Sequence, residues 1–308
     1  MKVIMYHYVR PFNPQLPNFK NLHIEDFQKQ LDYFDREYGF VSKDDFINSF
    51  KTQKSPKGVV LTFDDGLKCH YQYVFKELVK RNLWGIFYVN TGPYTQQRLI
   101  DVHRIHLILG TSNSKEVYTY LSKLLIDNML NSSRIKEFSE ETYKSQINDN
   151  YTFLIKRILN YYIDYSYREI IIDKLLKKFV DTSLLSVEDF YMNIEELNQL
   201  NDYGMLLGSH TVNHFVMSKL DIQTQEFEIK NSFNTLSKIL LNPLDLKTFC
   251  YPYGGFHTFT KQTEQLLDNN NCLFSFNVES RDVVDQDYIR AQALPRYDCN
   301  QFPFGNCR

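Results

Sequence analysis

Short apolar runs alternate along most of the chain with stretches whose apolar residues recur every three or four positions, the pattern of strands and helices in turn. Val3, Ile4, Met5 and Tyr6 predict a first strand over 2–9, closed by Arg10-Pro11 and a polar loop at 13–17. Phe27, Leu31 and Phe34 then recur at helical spacing behind Glu25 and Asp26, acids that suit the first turn of a helix ending near Gly39. A second helix is predicted over 43–50. The continuous run Val59, Val60, Leu61, Thr62, Phe63 predicts a buried parallel strand. Tyr71, Val74, Phe75, Leu78 and Val79 form the next helical stripe, and 84–89 the next strand. This completes a βαβ unit, whose functional residues belong at the carboxyl ends of its strands.

Residues 96 to about 190 break the alternation. They hold few Gly or Pro, and stripes such as Leu154, Ile158, Tyr161, Tyr165 and Leu175, Leu176, Phe179 predict a helical insertion of three or four helices. Strand–helix alternation resumes with a short helix from Ile194 to Gly204. A strand at 205–208, a helix at 222–241, a strand at 248–251, a helix at 260–269, a strand at 273–277 and a last element at 293–297 follow. No repeat or low-complexity linker divides the chain, so one domain over 1–308 with an insertion at about 96–190 is expected.

Composition leaves this picture intact. Hydrophobic residues at 43% and charged residues at 23% are those of a globular chain. The 22 Tyr and 24 Phe read as core material before they read as a sugar-stacking surface. The formal net charge of −2, from 35 basic and 37 acidic residues, gives no footprint for nucleic acid. Five widely spaced cysteines without a CxxC pair argue against both a zinc-thiolate site and a disulfide framework. Neither a signal-peptide core nor an apolar run of membrane-spanning length is visible, so a cytoplasmic protein is expected.

Candidate chemistry gathers at predicted strand tips. Asp64 and Asp65 end the strand in GVVLTFDDG, and as neighbours in extended backbone they face opposite sides. His210 and His214, in SHTVNH, follow another strand; four apart, they meet one divalent cation if the segment takes up a helical turn. Two histidines and a carboxylate leave positions open for water and substrate, a catalytic arrangement. His103 and His106 also share a helix face, but no acid or Cys stands at matching spacing, so a satisfied structural pair is the expected reading.

Thr62 to Gly66, reading TFDDG, and Ser209 to His214 are together similar to the first two motifs of the polysaccharide deacetylases of carbohydrate esterase family four. Cys250-Tyr251-Pro252-Tyr253-Gly254 resembles the third. The likeness covers 1 to about 95 and 187–298. It implies an α/β fold, a distorted (β/α) barrel of about seven strands, and a metal-dependent carbohydrate N-deacetylase. By the resemblance Asp65, His210 and His214 hold a divalent metal, with zinc expected. Asp64 is the base that activates the water, and the backbone N–H of Tyr253 holds the oxyanion.

Two departures qualify the likeness. The third motif's Arg, which orients the base, is replaced by Cys250, leaving Arg296 or Arg281 as substitutes. The late Leu-x-His that supplies the acid is also missing, Leu294-Pro295-Arg296 standing in its place. Tyr6-His7 resembles a circularly permuted subset with an early Tyr-His, which implies His7 as the acid. An N-acetylated sugar or a nucleotide-linked, lipid-linked or small glycan intermediate is the expected substrate. The insertion is expected to serve as a lid or as the interface of a homo-oligomer. A cyclic-amide hydrolase and a silent sugar-binding protein stay open as alternatives.

Overall fold

The computed structural model describes residues 1–308 apart from 144, 145, 147 and 245. Its strands are β1 Lys2–Tyr6, β2 Val59–Phe63, β3 Ile86–Val89, β4 Leu206–Ser209, β5 Thr248–Cys250, β6 Phe274–Phe276 and β7 Tyr297–Asp298. They form one parallel sheet in the order β6-β5-β4-β3-β2-β1-β7. Just before β7, Leu294 bridges Phe276 of β6 while Tyr297 pairs with Ile4 of β1. One segment thus touches both edges, and the sheet curls into a distorted barrel. The predicted last element lies slightly later, because 285–293 is taken up by 3₁₀ turns.

Alternation along the strands sorts side chains into two cores. Val60, Ile86, Tyr88, Leu206, Phe274 and Phe276 pack with Met1, Val3 and Leu294 on one face. Leu61, Phe63, Phe87, Val89 and Leu207 pack on the other against Phe27, Leu31 and Phe34 of α1 (Ile24–Glu37). After α2 (Lys43–Thr52) and β2, the single helix predicted at 71–81 has two geometries: a π-helical turn His70–Phe75 runs into α3 (Lys76–Lys80).

The insertion between β3 and β4 is more finely divided than three or four helices. It runs through α4 (Gly92–Gln96), α5 (Asp101–Thr111), α6 (Ser114–Leu124), α7 (Ile135–Glu141), α8 (Asn150–Arg157), α9 (Tyr165–Phe179) and α10 (Val187–Phe190). Asn113, Asp149 and Asp164 restart helices by accepting backbone N–H groups at the N-termini of α6, α8 and α9. After α11 (Ile194–Asp202), α12 (Ile222–Ile239) and α13 (Lys261–Asn269) connect the later strands. The insertion has its own apolar core, which Leu16, Phe19, Leu67, Cys69 and Val216 of the barrel loops complete. Among the described residues no helix is long and apolar enough to cross a membrane, and all five cysteines are free.

Candidate metal centre

The strand tips deliver the polar residues. The N–H of Asp64 donates to the carbonyl of Tyr6 at 2.9 Å, so Asp64 extends the pairing of β2 with β1. Asp65 then turns into the left-handed region at φ +84°, followed by Gly66 at +64°. The two carboxylates diverge through this turn rather than through the extended backbone expected. Both are buried.

Asp64 is clamped by Arg296, which is itself wholly buried. Nη1 donates to Oδ1 at 2.9 Å and Nη2 to Oδ2 at 2.8 Å, the paired geometry that only a guanidinium offers. The same Arg donates to Thr62 Oγ1 at 3.0 Å and the Asn277 carbonyl at 3.2 Å, and its Nη2 lies 2.8 Å from Cys250 Sγ. Burial alone would raise the Asp64 carboxyl, but Arg296 outweighs it and brings the pKa down to about 2. Burial raises the Cys250 thiol, so it stays protonated and faces Asp64 Oδ2 at 3.4 Å. Arg281 is committed elsewhere, paired with Asp287 at 2.8 Å and Glu279 at 2.9 Å.

His210 and His214 are brought together without the helical turn expected. After β4 the chain runs irregularly, with Thr211 at φ +68° and His214 at +57°. Thr211 Oγ1 accepts the His214 N–H at 2.9 Å, and the buried Glu228 carboxylate of α12 accepts the N–H groups of Val212 and Asn213 at 2.9 and 2.8 Å. These side-chain acceptors replace the i→i−4 carbonyls of a helix.

Asp65, His210 and His214 place ligand atoms within 4.8 Å of one another. Each Nε2 stands 3.5 Å from Asp65 Oδ1, which is buried and has no hydrogen-bond partner among the described residues. The Nδ1–H of His210 donates to the Cys250 carbonyl at 2.8 Å, leaving Nε2 with its lone pair. Burial lowers both imidazole pKa values, which favours the neutral form that binds a metal. An orphaned carboxylate oxygen facing two imidazoles, that of His210 oriented by the Cys250 carbonyl, fits a divalent ion. Asp64, His210 and Cys250 also lie close, but Arg296 already occupies both Asp64 oxygens.

A cavity of about 1490 Å³ opens over this cluster, lined by His7, Asp64, Asp65, His210, His214, Tyr253 and Arg296. The seven residues nominated from sequence therefore all line this cavity. Tyr253, at φ +64°, begins a run of three left-handed residues with Gly254 and Gly255. Its ring packs edge-on against His214, with centroids 4.7 Å apart.

Four side chains at the site were not nominated, all from the insertion or the residue directly after α10. His103 Nε2 lies 3.1 Å from Asp65 Oδ2, and its Nδ1 lies 2.6 Å from the Tyr191 hydroxyl. Asn160 Oδ1 accepts the Tyr253 hydroxyl at 2.9 Å, and Arg168 donates to Asn160 at 2.7 Å and to Tyr253 at 3.2 Å. The His103–His106 spacing is visible in sequence, but its acid, Asp65, lies on another element.

The family model for polysaccharide deacetylase matches residues 172–271, a span holding both histidines and the Cys250–Gly254 motif. Among solved structures of similar fold is the deacetylase PplD from Streptococcus pyogenes in complex with acetate, at 16% identity and a TM-score of 0.58, over 97% of this chain and 91% of that one. IcaB from Ammonifex degensii follows at 17% identity and 0.55, over 96% and 90%. A de-N-acetylase from Aggregatibacter actinomycetemcomitans follows at 13% and 0.52, over 96% and 93%. No curated protein matches the chain.

Proposed function

We infer that this chain, a member of the polysaccharide deacetylase family by its family-model match and its fold, is a metal-dependent hydrolase that removes the acetyl group from an N-acetylated sugar or glycan intermediate. The observation that carries the reading is the unpartnered Asp65 oxygen facing His210 and His214 beside a second carboxylate locked by Arg296. Asp65, His210 and His214 would hold the ion, and two histidines with one carboxylate suit zinc. When bound, such an ion supplies Lewis acidity that lowers the pKa of a water in the site toward 7 and polarises the acetamide carbonyl.

The remaining work falls to the chain's own groups. Arg296 keeps Asp64 ionised and fixed, so it stands ready to accept a proton from water at any working pH. With its pKa near 2 the carboxylate is a weak base, so the proton it takes is released to solvent, from which the group that protonates the amine is recharged. His7, which lines the same cavity, is the group that protonates the departing amine. The backbone N–H of Tyr253 makes no hydrogen bond among the described residues and supplies the oxyanion donor. Acetate and a free amino sugar are the products.

The test is acetate release from a panel of N-acetylated sugars, together with the metal content of the purified protein. Asp64→Asn is expected to lose about 10²–10⁴-fold in turnover while keeping its metal. Loss of the metal instead would mean that the two aspartates have exchanged roles. Release of ammonia or a ring-opened product without acetate would favour the cyclic-amide hydrolase reading.

A further inference from the structure

His103 sits in the first turns of α5, wholly buried, with both ring nitrogens directed at single partners. Its Nδ1 lies 2.6 Å from the Tyr191 hydroxyl, which also accepts the backbone N–H of Ile100 at 3.2 Å. A hydroxyl oxygen that accepts one hydrogen bond has its own hydrogen left to give. Burial raises the Tyr191 pKa, so that hydrogen is retained and goes to Nδ1. The imidazole is therefore the tautomer with hydrogen on Nε2. That nitrogen makes no aligned hydrogen bond to any described residue and stands 3.1 Å from Asp65 Oδ2, at ion-pair distance.

The two oxygens of Asp65 thereby acquire separate duties. Oδ2 faces the Nε2 edge of an imidazole from the insertion at 3.1 Å, while Oδ1 faces His210 and His214. This imidazole is anchored to the same strand tip from behind. The N–H of Met192 donates to the Gly66 carbonyl at 3.0 Å, and Tyr191 forms an antiparallel bridge with Leu67. Residues 191–192 thus lie against the turn that carries Asp65. The ring of Phe190, with its centroid 5.0 Å from that of His103, walls the imidazole on another side.

We propose that His103, with its tautomer set by Tyr191, is a positioning residue that orients Asp65 for the metal, so that the helical insertion supplies part of the metal centre. The inference rests on the assignment of Asp65, His210 and His214 as ligands. A partner of this kind behind a metal ligand contributes about 10–100-fold in affinity.

The experiment measures the zinc dissociation constant of the full chain by competition with a chromogenic chelator, alongside thermal unfolding of each apoprotein. His103→Leu is expected to bind zinc about 10–100-fold more weakly. His103→Gln, whose amide N–H reaches toward the position of Nε2, should recover most of that loss. Tyr191→Phe keeps the ring but frees Nδ1 and the Ile100 N–H, and should weaken zinc binding several-fold beyond the modest lowering of apoprotein stability that the two unpaired groups cause, which the unfolding measurement records separately. In ¹⁵N NMR it should also move His103 from the Nε2–H tautomer to a mixture. His210→Ala separates the two levels of inference. Zinc binding lost in His210→Ala but unchanged in His103→Leu and Tyr191→Phe overturns the role of His103 alone. A wild-type chain that takes up no zinc, or a His210→Ala variant that binds it normally, overturns the ligand assignment and this inference with it. If His103→Leu fails to fold, Tyr191→Phe decides, and unchanged affinity with an unchanged tautomer overturns the proposal.

Discussion

His70 lies under the catalytic wall, wholly buried, with Nε2–H donating to the His7 carbonyl at 2.7 Å and Nδ1 facing no partner among the described residues. Burial pushes its pKa down to about 4, against an ordinary 6.5, although the His7 carbonyl favours the proton. Below pH 6.5 the unfolded chain takes up a proton that the folded chain refuses. Stability should therefore be whole above about pH 6.5 and fall as the pH drops toward 4, by roughly 3 kcal/mol from this residue. Urea unfolding across that window should show the loss in the wild type and a shallower one in His70→Gln; equal slopes would remove His70 from the account. The sequence marks no such burden on His70, because nothing local says that the ring is buried. Arg296 is a different case. The Cys at position 250 signals a missing guanidinium, and sequence alone narrows the replacement to Arg296 or Arg281. Choosing between them requires knowing that Glu279 and Asp287 already hold Arg281 while Arg296 reaches Asp64.

Strands carry the site because their tips converge, and β4 shows how tightly. Gly208 lies two residues before His210, where an added Cβ would come 2.5 Å from Tyr88 Cε1 and 2.8 Å from Thr248 Cγ2. Tyr88 cannot easily withdraw, since its hydroxyl is bonded to Thr248 Oγ1 at 2.8 Å inside the barrel. Gly208→Ala should therefore destabilise the protein by about 1–3 kcal/mol and weaken zinc binding by moving the strand that presents His210. An alanine variant with wild-type unfolding midpoint and metal affinity would mean the barrel has slack here. Strands such as β2 and β4 were legible because a short apolar run ending in polar residues has few other readings. The turn after β4 was not, since a spacing of four is shared by a helix and by a loop whose N–H groups are met by Glu228 and Thr211. The helix count of the insertion was legible in part, as Asn113, Asp149 and Asp164 are capping residues where α6, α8 and α9 restart, whereas α5 and α7 start without a side-chain cap.

At the scale of the whole molecule the question is whether the insertion is a separable unit, as its composition suggests. Leu16, Phe19, Leu67, Cys69 and Val216, all outside the insertion, belong to the same apolar cluster as Ile105, Leu121, Ile155 and Leu175 within it. Polar links add to this: His103 to Asp65, Arg168 to Tyr253, and Lys219, whose Nζ donates to the carbonyls of Tyr161 and Ile163 at 2.7 Å each. None of these pairings is visible in sequence, because each joins residues far apart in the chain and neither partner departs from its local pattern. Removing the insertion from the barrel would strip a core face and leave Arg168 without its hydroxyl partner, so partial unfolding carries a large penalty. The chain should therefore unfold as one cooperative unit. Two probes separate the parts. The single tryptophan, Trp84, reports on the barrel, where its Nε1–H donates to the Val41 carbonyl at 2.7 Å, while far-ultraviolet ellipticity reports on the helices of the barrel and of the insertion together. Fluorescence and ellipticity should trace the same urea transition, with the calorimetric enthalpy equal to the van't Hoff value. An ellipticity loss at lower urea than the fluorescence change would instead make the insertion an independent lid.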